Sequence, residues 1–233
     1  MKNQFKIIAL SVFVAFFGCS SSDDTPSGNG GGDDLVIEAT YKVTFEPIFT
    51  EELHPIDYPA NAGFSKVFLL VHSNTSSVFT LGDTASAGLK LYAEEGNSSI
   101  LVTEHTQTED NVNPTTIVLG TSDVGPTEPV VFTITITPSK LLISFVTKIS
   151  PSPDWFLGVD SFSLENSDNT LVESVSIGLF ALDAGTDAGE TYTSANSPEL
   201  SVISIRTGLP LWTNPNETGK GLGVLKIERI NTN

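Results

Sequence analysis

The sequence predicts an all-β fold, an antiparallel β-sandwich with one short helix, and three observations support this. Apolar and polar residues alternate with a period of two in several segments, which is typical of strands with one buried face. Gly, Pro, Asn and Asp occupy the gaps between these segments, as residues of tight turns do. Many short strands joined by turns favour a sandwich or a barrel.

The elements follow from this pattern in chain order. Alternation is clearest at 35–45 and at 130–136, where apolar residues alternate with threonines in the second segment. A hint of helix occurs only at 85–95. Further strands are predicted at 66–72, 78–81, 99–105, 115–119, 141–147, 155–164, 171–182, 200–205 and 222–230.

The amino-terminal segment reads as a secretory signal peptide over residues 1–18. Lys2 and Lys6 precede a short apolar run that ends at Phe17, and polar residues follow abruptly. The run is too short to span a bilayer as a stable helix. Cys19, directly after Gly18, resembles the lipidated cysteine of a bacterial lipoprotein signal. We therefore expect cleavage before Cys19 and lipidation of its thiol; an ordinary signal with an incidental cysteine is the alternative.

Residues 19–34 are predicted to be a flexible tether, with the folded domain at 35–233. The residues from Ser20 to Asp34 are Ser, Gly, Asp, Asn, Thr and Pro, so this segment has no side chain with which to build a core. Acidic residues just after a lipidated cysteine resemble a surface-export signal of Bacteroidetes lipoproteins. We expect a protein held on the outer membrane, exposed at the surface, with the lipid anchor as its only membrane contact.

The chain is strongly acidic, with a formal net charge of −17. Loss of residues 1–18 removes two lysines and no acid, which brings the charge to −19. Nucleic acid and anionic lipid are poor partners for such a surface. The charge is explained by solubility alone, or by acidic loops that bind cations.

Two polar turns carry three carboxylates between apolar runs, and they predict one site for a hard cation. The first, Pro151-Ser152-Pro153-Asp154-Trp155, is stiffened by its two prolines. In the second, Asp183-Ala184-Gly185-Thr186-Asp187, the glycine allows a tight fold that brings both aspartates toward one point. Oxygen ligands on loops suit Ca²⁺. Alternatively, each Asp only bonds its own backbone to make a turn. Asp160 and Glu190 lie near the motifs and could join the site.

These two turns belong to a wider resemblance to the spondin N-terminal domain, the module of F-spondin and mindin in animal extracellular matrix. The resemblance implies a calcium-binding antiparallel β-sandwich that works in adhesion, with the ion held by Asp154, Asp183 and Asp187. The chain departs from the family pattern at Phe49-Thr50 and at Gly63. The supporting blocks are Tyr41 to Phe45, His54-Pro55, Tyr58 to Ala60, Phe64-Ser65, His72, Ala85 to Gly88, Ala93 to Gly96, Pro151 to Val159 and Leu225 to Ile230.

An enzyme is not expected, because no catalytic motif is found. The sequence holds no Gly-x-Ser-x-Gly elbow and no phosphate-binding glycine loop that ends in Lys-Ser or Lys-Thr. His54, His72 and His105 sit at no metal-ligand spacing. Trp155, beside the first acidic turn, could stack on a sugar, but its apolar neighbours favour packing in the core.

The prediction is a lipid-anchored calcium-binding module for adhesion or recognition, whose partner is an extracellular protein or a glycan. Three alternatives stay open. A calcium-dependent carbohydrate-binding module would use Trp155 as a contact. A surface hydrolase would depend on Asp154 for turnover. A purely structural calcium would need no partner.

Overall fold

A computed structural model describes residues 38–107, 115–211 and 221–230 of the chain. The predicted signal peptide at 1–18, the lipidation site Cys19 and the tether up to residue 34 lie outside the described residues. So does the first part of the predicted strand at 35–45.

Strands make up most of the described structure, as the sequence predicts. The helices are α1 (Ala87–Glu95) and α2 (Ser99–Gln107). The strands are β1 (Ala39–Pro47), β2 (Gly63–Phe64), β3 (Phe68–His72), β4 (Thr116–Leu119), β5 (Val130–Ile136), β6 (Leu142–Ser150), β7 (Trp155–Ser163), β8 (Ser174–Leu179), β9 (Ala181–Asp183), β10 (Ser204–Ile205) and β11 (Gly223–Ile230).

The described strands form two sheets in which every neighbouring pair is antiparallel. The order of the first sheet is β5-β1-β11-β8. The order of the second is β10-β9-β7-β6-β3-β4, and β2 pairs with β6. The predicted antiparallel β-sandwich is confirmed.

The core between the two sheets follows from the alternation in β1. Tyr41, Val43 and Phe45 on that strand are fully buried. The Phe45 ring meets those of Phe64 and Phe145, with centroids 5.3 Å and 5.2 Å away, so residues from both sheets interlock. Burial of one such side chain stabilises the fold by roughly 1.5–3 kcal/mol relative to its exposure.

The second sheet is covered on its other face by the two helices. There Phe68 and Leu70 of β3 and Phe156 of β7 pack in one cluster with Leu89 and Tyr92 of α1. All five residues of β3 are therefore buried, and the first four, Phe68 to Val71, are apolar without polar alternation.

The hint of helix at 85–95 is confirmed by α1, which begins where the Ser86 side chain accepts a hydrogen bond from Leu89 N at 3.0 Å. The strand predicted at 99–105 is wrong, because this segment is α2. Val102 N donates to Ser98 O at 2.8 Å, which starts a helical turn. A side chain at Gly88 would meet the backbone of Leu101 at 2.7 Å, so the glycine allows the two helices to pack closely.

Three other strand predictions differ from the structure. The segment 78–81 is irregular, because the Asp160 carboxylate takes the N–H groups of Val78 and Phe79. The segment 171–182 contains two strands that are separated at Phe180 and belong to different sheets. Only residues 204–205 of the predicted strand at 200–205 are paired as a strand. In the part of the chain that is described, neither helix is long and apolar enough to cross a membrane.

Candidate metal site

The pairing of β7 with β9 places the two acidic turns side by side. Trp155 at the start of β7 lies opposite Asp183 at the end of β9. Immediately beyond this pair, Ala184 N donates to Asp154 O at 3.3 Å. The end of the first acidic turn therefore lies beside the start of the second, although about thirty residues separate them in sequence.

Ser152 holds the first turn in shape. Its hydroxyl lies 2.6 Å from Ile149 O, to which it donates, and it accepts a hydrogen bond from Trp155 N at 3.2 Å. The peptide bond between Ser150 and Pro151 is cis. The Ser152 hydrogen bonds hold the turn, and the Asp154 side chain points toward the second turn, where it accepts from Thr186 N and Asp187 N.

Asp154 is the most enclosed carboxylate of the site, with an exposed fraction of 0%. Its Oδ2 atom accepts hydrogen bonds from Thr186 N at 2.7 Å, Asp187 N at 3.1 Å and Thr186 Oγ1 at 3.2 Å. Its Oδ1 atom is buried and has no hydrogen-bond partner in the structure. An anionic oxygen in that position is costly unless a positive charge lies beside it.

The pKa of Asp154 reflects this enclosure. Burial raises the pKa of the carboxyl to about 6, and the neighbouring charge of Asp183 raises it too. The hydrogen bonds from Thr186 and Asp187 act in the opposite direction and favour the ionised form. Near neutral pH the site therefore carries a buried anion whose charge is only partly compensated.

The second turn is organised by its own aspartates. Asp183 Oδ1 accepts from Gly185 N at 2.9 Å. Asp187, which is almost fully buried, accepts at Oδ1 from Gly189 N at 2.9 Å and from Ser197 N at 3.2 Å. Both aspartates thus bond the backbone of their own turn, which is the alternative to metal binding that the sequence offered. These bonds involve only the Oδ1 atom of each carboxylate.

A neighbouring segment, 197–201, pairs with the second turn through its backbone. Ser201 N donates to Gly185 O at 2.8 Å, Glu199 N to Thr186 O at 2.9 Å, and Ala188 N to Ser197 O at 2.8 Å. Gly185 has a φ of +70°, and a side chain there would meet the backbone of Ser201 at 2.8 Å. The glycine is therefore needed both for the left-handed turn and for this close approach.

Sequence analysis missed Lys148, a buried ammonium group beside the first turn. Its Nζ donates to Ala93 O and Ser152 O, both at 2.7 Å, and to Ser152 Oγ at 3.2 Å. Burial lowers the pKa of Lys148 to about 8, against the carboxylates of Asp154, Glu94 and Asp187, which raise it. A lysine inside an apolar strand three residues before Pro151 was the available signal.

The arrangement suits a hard cation only in part. Within the described residues, no group of three or more His, Cys, Asp and Glu side chains is gathered closely enough to hold a metal ion. The three aspartates border one region without converging on a point. The buried, unpartnered Oδ1 of Asp154 is the feature that fits an ion, because an oxygen anion is the ligand that Ca²⁺ takes. The calcium assignment stays a prediction.

Trp155 does not have the exposure that a ligand contact requires. Its exposed fraction is 0%, and its ring packs against Tyr192 with centroids 5.6 Å apart. The guanidinium of Arg206 covers the ring, with Cζ 4.6 Å from its centroid. The burial and the covered ring favour the packing alternative for Trp155 over a sugar contact.

Asp160 lies outside the acidic site. It stands near the other end of β7, where its carboxylate accepts from Ser144 Oγ at 3.0 Å as well as from the loop at 78–79. Ser144 also contacts His72 Nε2 at 2.8 Å. This grouping differs from a hydrolase triad, since the serine is fully buried and the aspartate bonds the serine in place of the histidine.

The fold and the site define an antiparallel β-sandwich that carries a pair of acidic turns where β7 begins and β9 ends. The chain belongs to the Spondin_N family, whose sequence model matches residues 39–216.

Individual spondins share about a third of the residues over the matched region. The chain is 31% identical to Spondin-1 of Rattus norvegicus over 203 residues, which cover 82% of this chain and 25% of that protein. It is 32% identical to Spondin-1 of Gallus gallus over the same coverage. It is 31% identical to Spondin-2 of Rattus norvegicus over 182 residues, 74% of this chain and 54% of that protein. The chain thus spans a quarter to about half of these relatives.

We expect Gly185→Ala to disrupt the second turn. The substitution should lower the free energy of unfolding by about 2–4 kcal/mol, because the new side chain is strained at positive φ and collides with the backbone of Ser201. Gly82→Ala is the matched control, since Gly82 also has positive φ but open space around it, and it should lose only about 1–2 kcal/mol. Urea unfolding in EDTA measures both, and equal losses would contradict the packing argument.

We expect Asp154→Asn to stabilise the metal-free protein in a pH-dependent way. The folded pKa of about 6 lies above the ordinary value of 3.8, so ionisation of Asp154 costs stability. The free energy of unfolding of the parent should therefore fall as the pH rises from about 4 to about 6. The variant has no carboxyl at this position and should not show the decrease that comes from ionisation of Asp154. Thermal unfolding in EDTA from pH 4 to pH 8 should show an advantage of the variant that grows up to about pH 6 and is then constant.

The control for this experiment is Asp168→Asn. Hydrogen bonds from Thr170 lower the pKa of Asp168, which lies in an exposed turn, so its substitution should bring no gain over the same interval. An advantage of Asp154→Asn that is the same at all pH values would show that the buried charge is not its cause.

Proposed function

We propose that this protein is a cell-surface recognition module that binds Ca²⁺ through Asp154, Asp183 and Asp187. The observation that carries the proposal is the buried and unpartnered Oδ1 of Asp154, which lies between two turns rich in carboxylates. A bound cation would neutralise this oxygen and draw the second carboxylate oxygens of Asp183 and Asp187 inward. Backbone carbonyls and water would complete the shell, because Ca²⁺ takes six to eight oxygen ligands.

The ion would act on recognition through the segment 197–201. This segment pairs with the second turn. It carries Leu200, which is exposed to 86%, and is followed by Val202, which is exposed to 45%. Calcium that fixes the turn would therefore also fix the surface these side chains present. The partner we propose is an extracellular protein or a glycan, in keeping with the adhesion role that the family resemblance implies. No catalytic step is proposed for the ion.

The proposed location is the bacterial cell envelope, with the chain held at the outer membrane by lipid on Cys19. Support comes from the sequence alone: the charged and apolar segment before Gly18-Cys19 and the polar segment after it. Two or more acyl chains give firm attachment, whereas one gives marginal binding.

We expect calcium to raise the melting temperature of the full-length protein after removal of metal. Binding to the native state stabilises it by about 2.7 kcal/mol at 100 times the dissociation constant. A module of the extracellular type binds at about 10⁻⁴–10⁻³ M, so millimolar concentrations should suffice. The double variant Asp183→Ala, Asp187→Ala should show little or no shift, and calorimetric titration should give the stoichiometry.

Asp168→Ala is the control for that double variant, because Asp168 also bonds the backbone of its own turn but lies elsewhere. It should keep the calcium response. If calcium added to a metal-free preparation of the parent gives no change in melting temperature and no binding heat, the calcium proposal is contradicted. A response that survives in the double variant would move the ion to another site.

We expect Cys19→Ala to abolish anchoring. The parent expressed in a bacterium should incorporate labelled palmitate and enter the detergent phase of a Triton X-114 partition, and the variant should do neither. Shortening the tether at 20–34 is the control, since it should leave the label in place. A labelled Cys19→Ala protein would show that another residue carries the lipid.

A further inference from the structure

Strand β8 leaves one edge of the first sheet without a partner strand. It stands last in the order β5-β1-β11-β8, and in the described part of the chain no strand pairs with its other side. Just before β8, Arg229 N donates to Glu173 O at 2.8 Å, so Glu173 turns its backbone groups toward β11. Because successive residues of an antiparallel ladder alternate in this respect, the backbone N–H and C=O groups of Ser174, Ser176 and Gly178 point away from β11.

This edge lacks the features that usually keep the edge of a sheet from pairing. The three residues Ser174, Ser176 and Gly178 are exposed, small and uncharged. The run from Ser174 to Leu182 contains no charged residue and no proline, in a chain with a formal net charge of −17. Edge strands are ordinarily blocked by charged side chains, prolines or bulges. The outer edge of β8 is therefore open to a further strand.

An apolar groove of about 530 Å³ lies beside this edge. Gly178 of β8 lines it, together with Phe79, Leu81, Phe180 and Ile205. Leu81, Phe180 and Ile205 are large apolar side chains that remain exposed to water. A strand projects alternate side chains to the same face, so a strand paired with Gly178 places every second side chain over this groove. The open edge and the groove therefore form one surface, which suits an extended chain.

The charge around the groove favours a cationic partner. Asp160 lines the groove, and Asp83 is exposed two residues after Leu81. In the part of the chain that the structure describes, neither acid belongs to an ion pair. The guanidinium of Arg206 is directed onto the ring of Trp155. A partner that carries lysine or arginine is therefore attracted, whereas a second copy of this acidic chain is repelled.

We propose that β8 and the adjoining groove bind an extended, cationic peptide segment of a partner protein, which adds a strand to the first sheet. Backbone bonds to Ser174, Ser176 and Gly178 give the affinity, and alternate apolar side chains of the peptide fill the groove. Lysine or arginine in the peptide meets the acidic residues around it. The proposal specifies the recognition role proposed above, but it uses no residue of the acidic turns, so either proposal can fail alone.

The test is a selection of displayed random peptides on the full-length protein in EDTA, so that calcium plays no part. We expect the selected peptides to alternate apolar residues with lysine or arginine. Ser176→Pro removes the outward N–H and leaves the bonds to β11 in place, so it should weaken their binding by roughly tenfold or more. Ser176→Ala keeps the N–H and should bind as the parent does. Bound peptide should also slow hydrogen exchange at the amides of Ser174, Ser176 and Gly178.

A second pair of variants tests the groove and stays decisive where Ser176→Pro does not fold. Leu81→Lys should weaken the selected peptides, because it removes an apolar contact and adds a like charge. Val131→Lys is the matched control, since Val131 is similarly exposed but lies on β5, at the opposite edge of the sheet. Loss of binding in Val131→Lys alone would move the peptide to β5 and overturn the proposal.

Other outcomes also overturn the proposal and leave the calcium proposal standing. These are a selection that enriches no peptide or acidic peptides, and peptides that bind Ser176→Pro as tightly as they bind the parent. Sedimentation of the parent tests the other occupant of the edge. A dimer that Ser176→Pro abolishes would assign the edge to a second copy of this chain.

Discussion

The acidic site depends on one contact, between the carboxylate of Asp154 and the backbone N–H groups of Thr186 and Asp187. It joins two turns that are far apart in sequence and holds each in the shape that the other needs. A hydrogen bond to a charged group contributes about 1.5–3 kcal/mol, so the pair of N–H groups outweighs most single contacts on the surface. The antiparallel pairing of Trp155 with Asp183 makes the contact available, and the sandwich around β7 keeps water from it.

The same contact leaves the site short of positive charge. Asp154 is ionised at the cost of its burial, and one of its oxygens has no partner. Lys148 donates to Ser152 of the first turn and to Ala93, which are neutral oxygens. Burial disfavours the charged form of both side chains, so it raises the pKa of Asp154 and lowers the pKa of Lys148. Under the proposed calcium binding, a cation between the turns would relieve the unfavourable burial of the Asp154 carboxylate.

Much of the fold follows from the sequence, because it rests on local alternation. The strands β1, β5 and β11 lie where period-two patterns predict them. The helix α2 was missed because its β-branched and apolar residues suit a strand, whereas Gly88 and the surface of α1 decide in favour of a helix. The turns that hold Asp154, Asp183 and Asp187 were found from Pro and Gly, whose effects are local. Lys148 was not, because its role comes from burial, which only the packing of β6 under α1 reveals.

The chain has one cysteine, Cys19, and so no disulfide within itself can restrain the turns. Their order must come from hydrogen bonds and from whatever binds there. The segment 197–201 is attached to the second turn by backbone bonds and by the bond from Ser197 N to Asp187 Oδ1, and its Leu200 side chain is largely exposed. Few buried contacts hold such a segment, so it belongs to the part of a fold that opens most easily. A ligand that stabilises the turn would also stabilise this segment, since Gly185 O and Thr186 O accept the N–H groups of Ser201 and Glu199. The proposed ion binding and the order of this exposed segment would then be coupled.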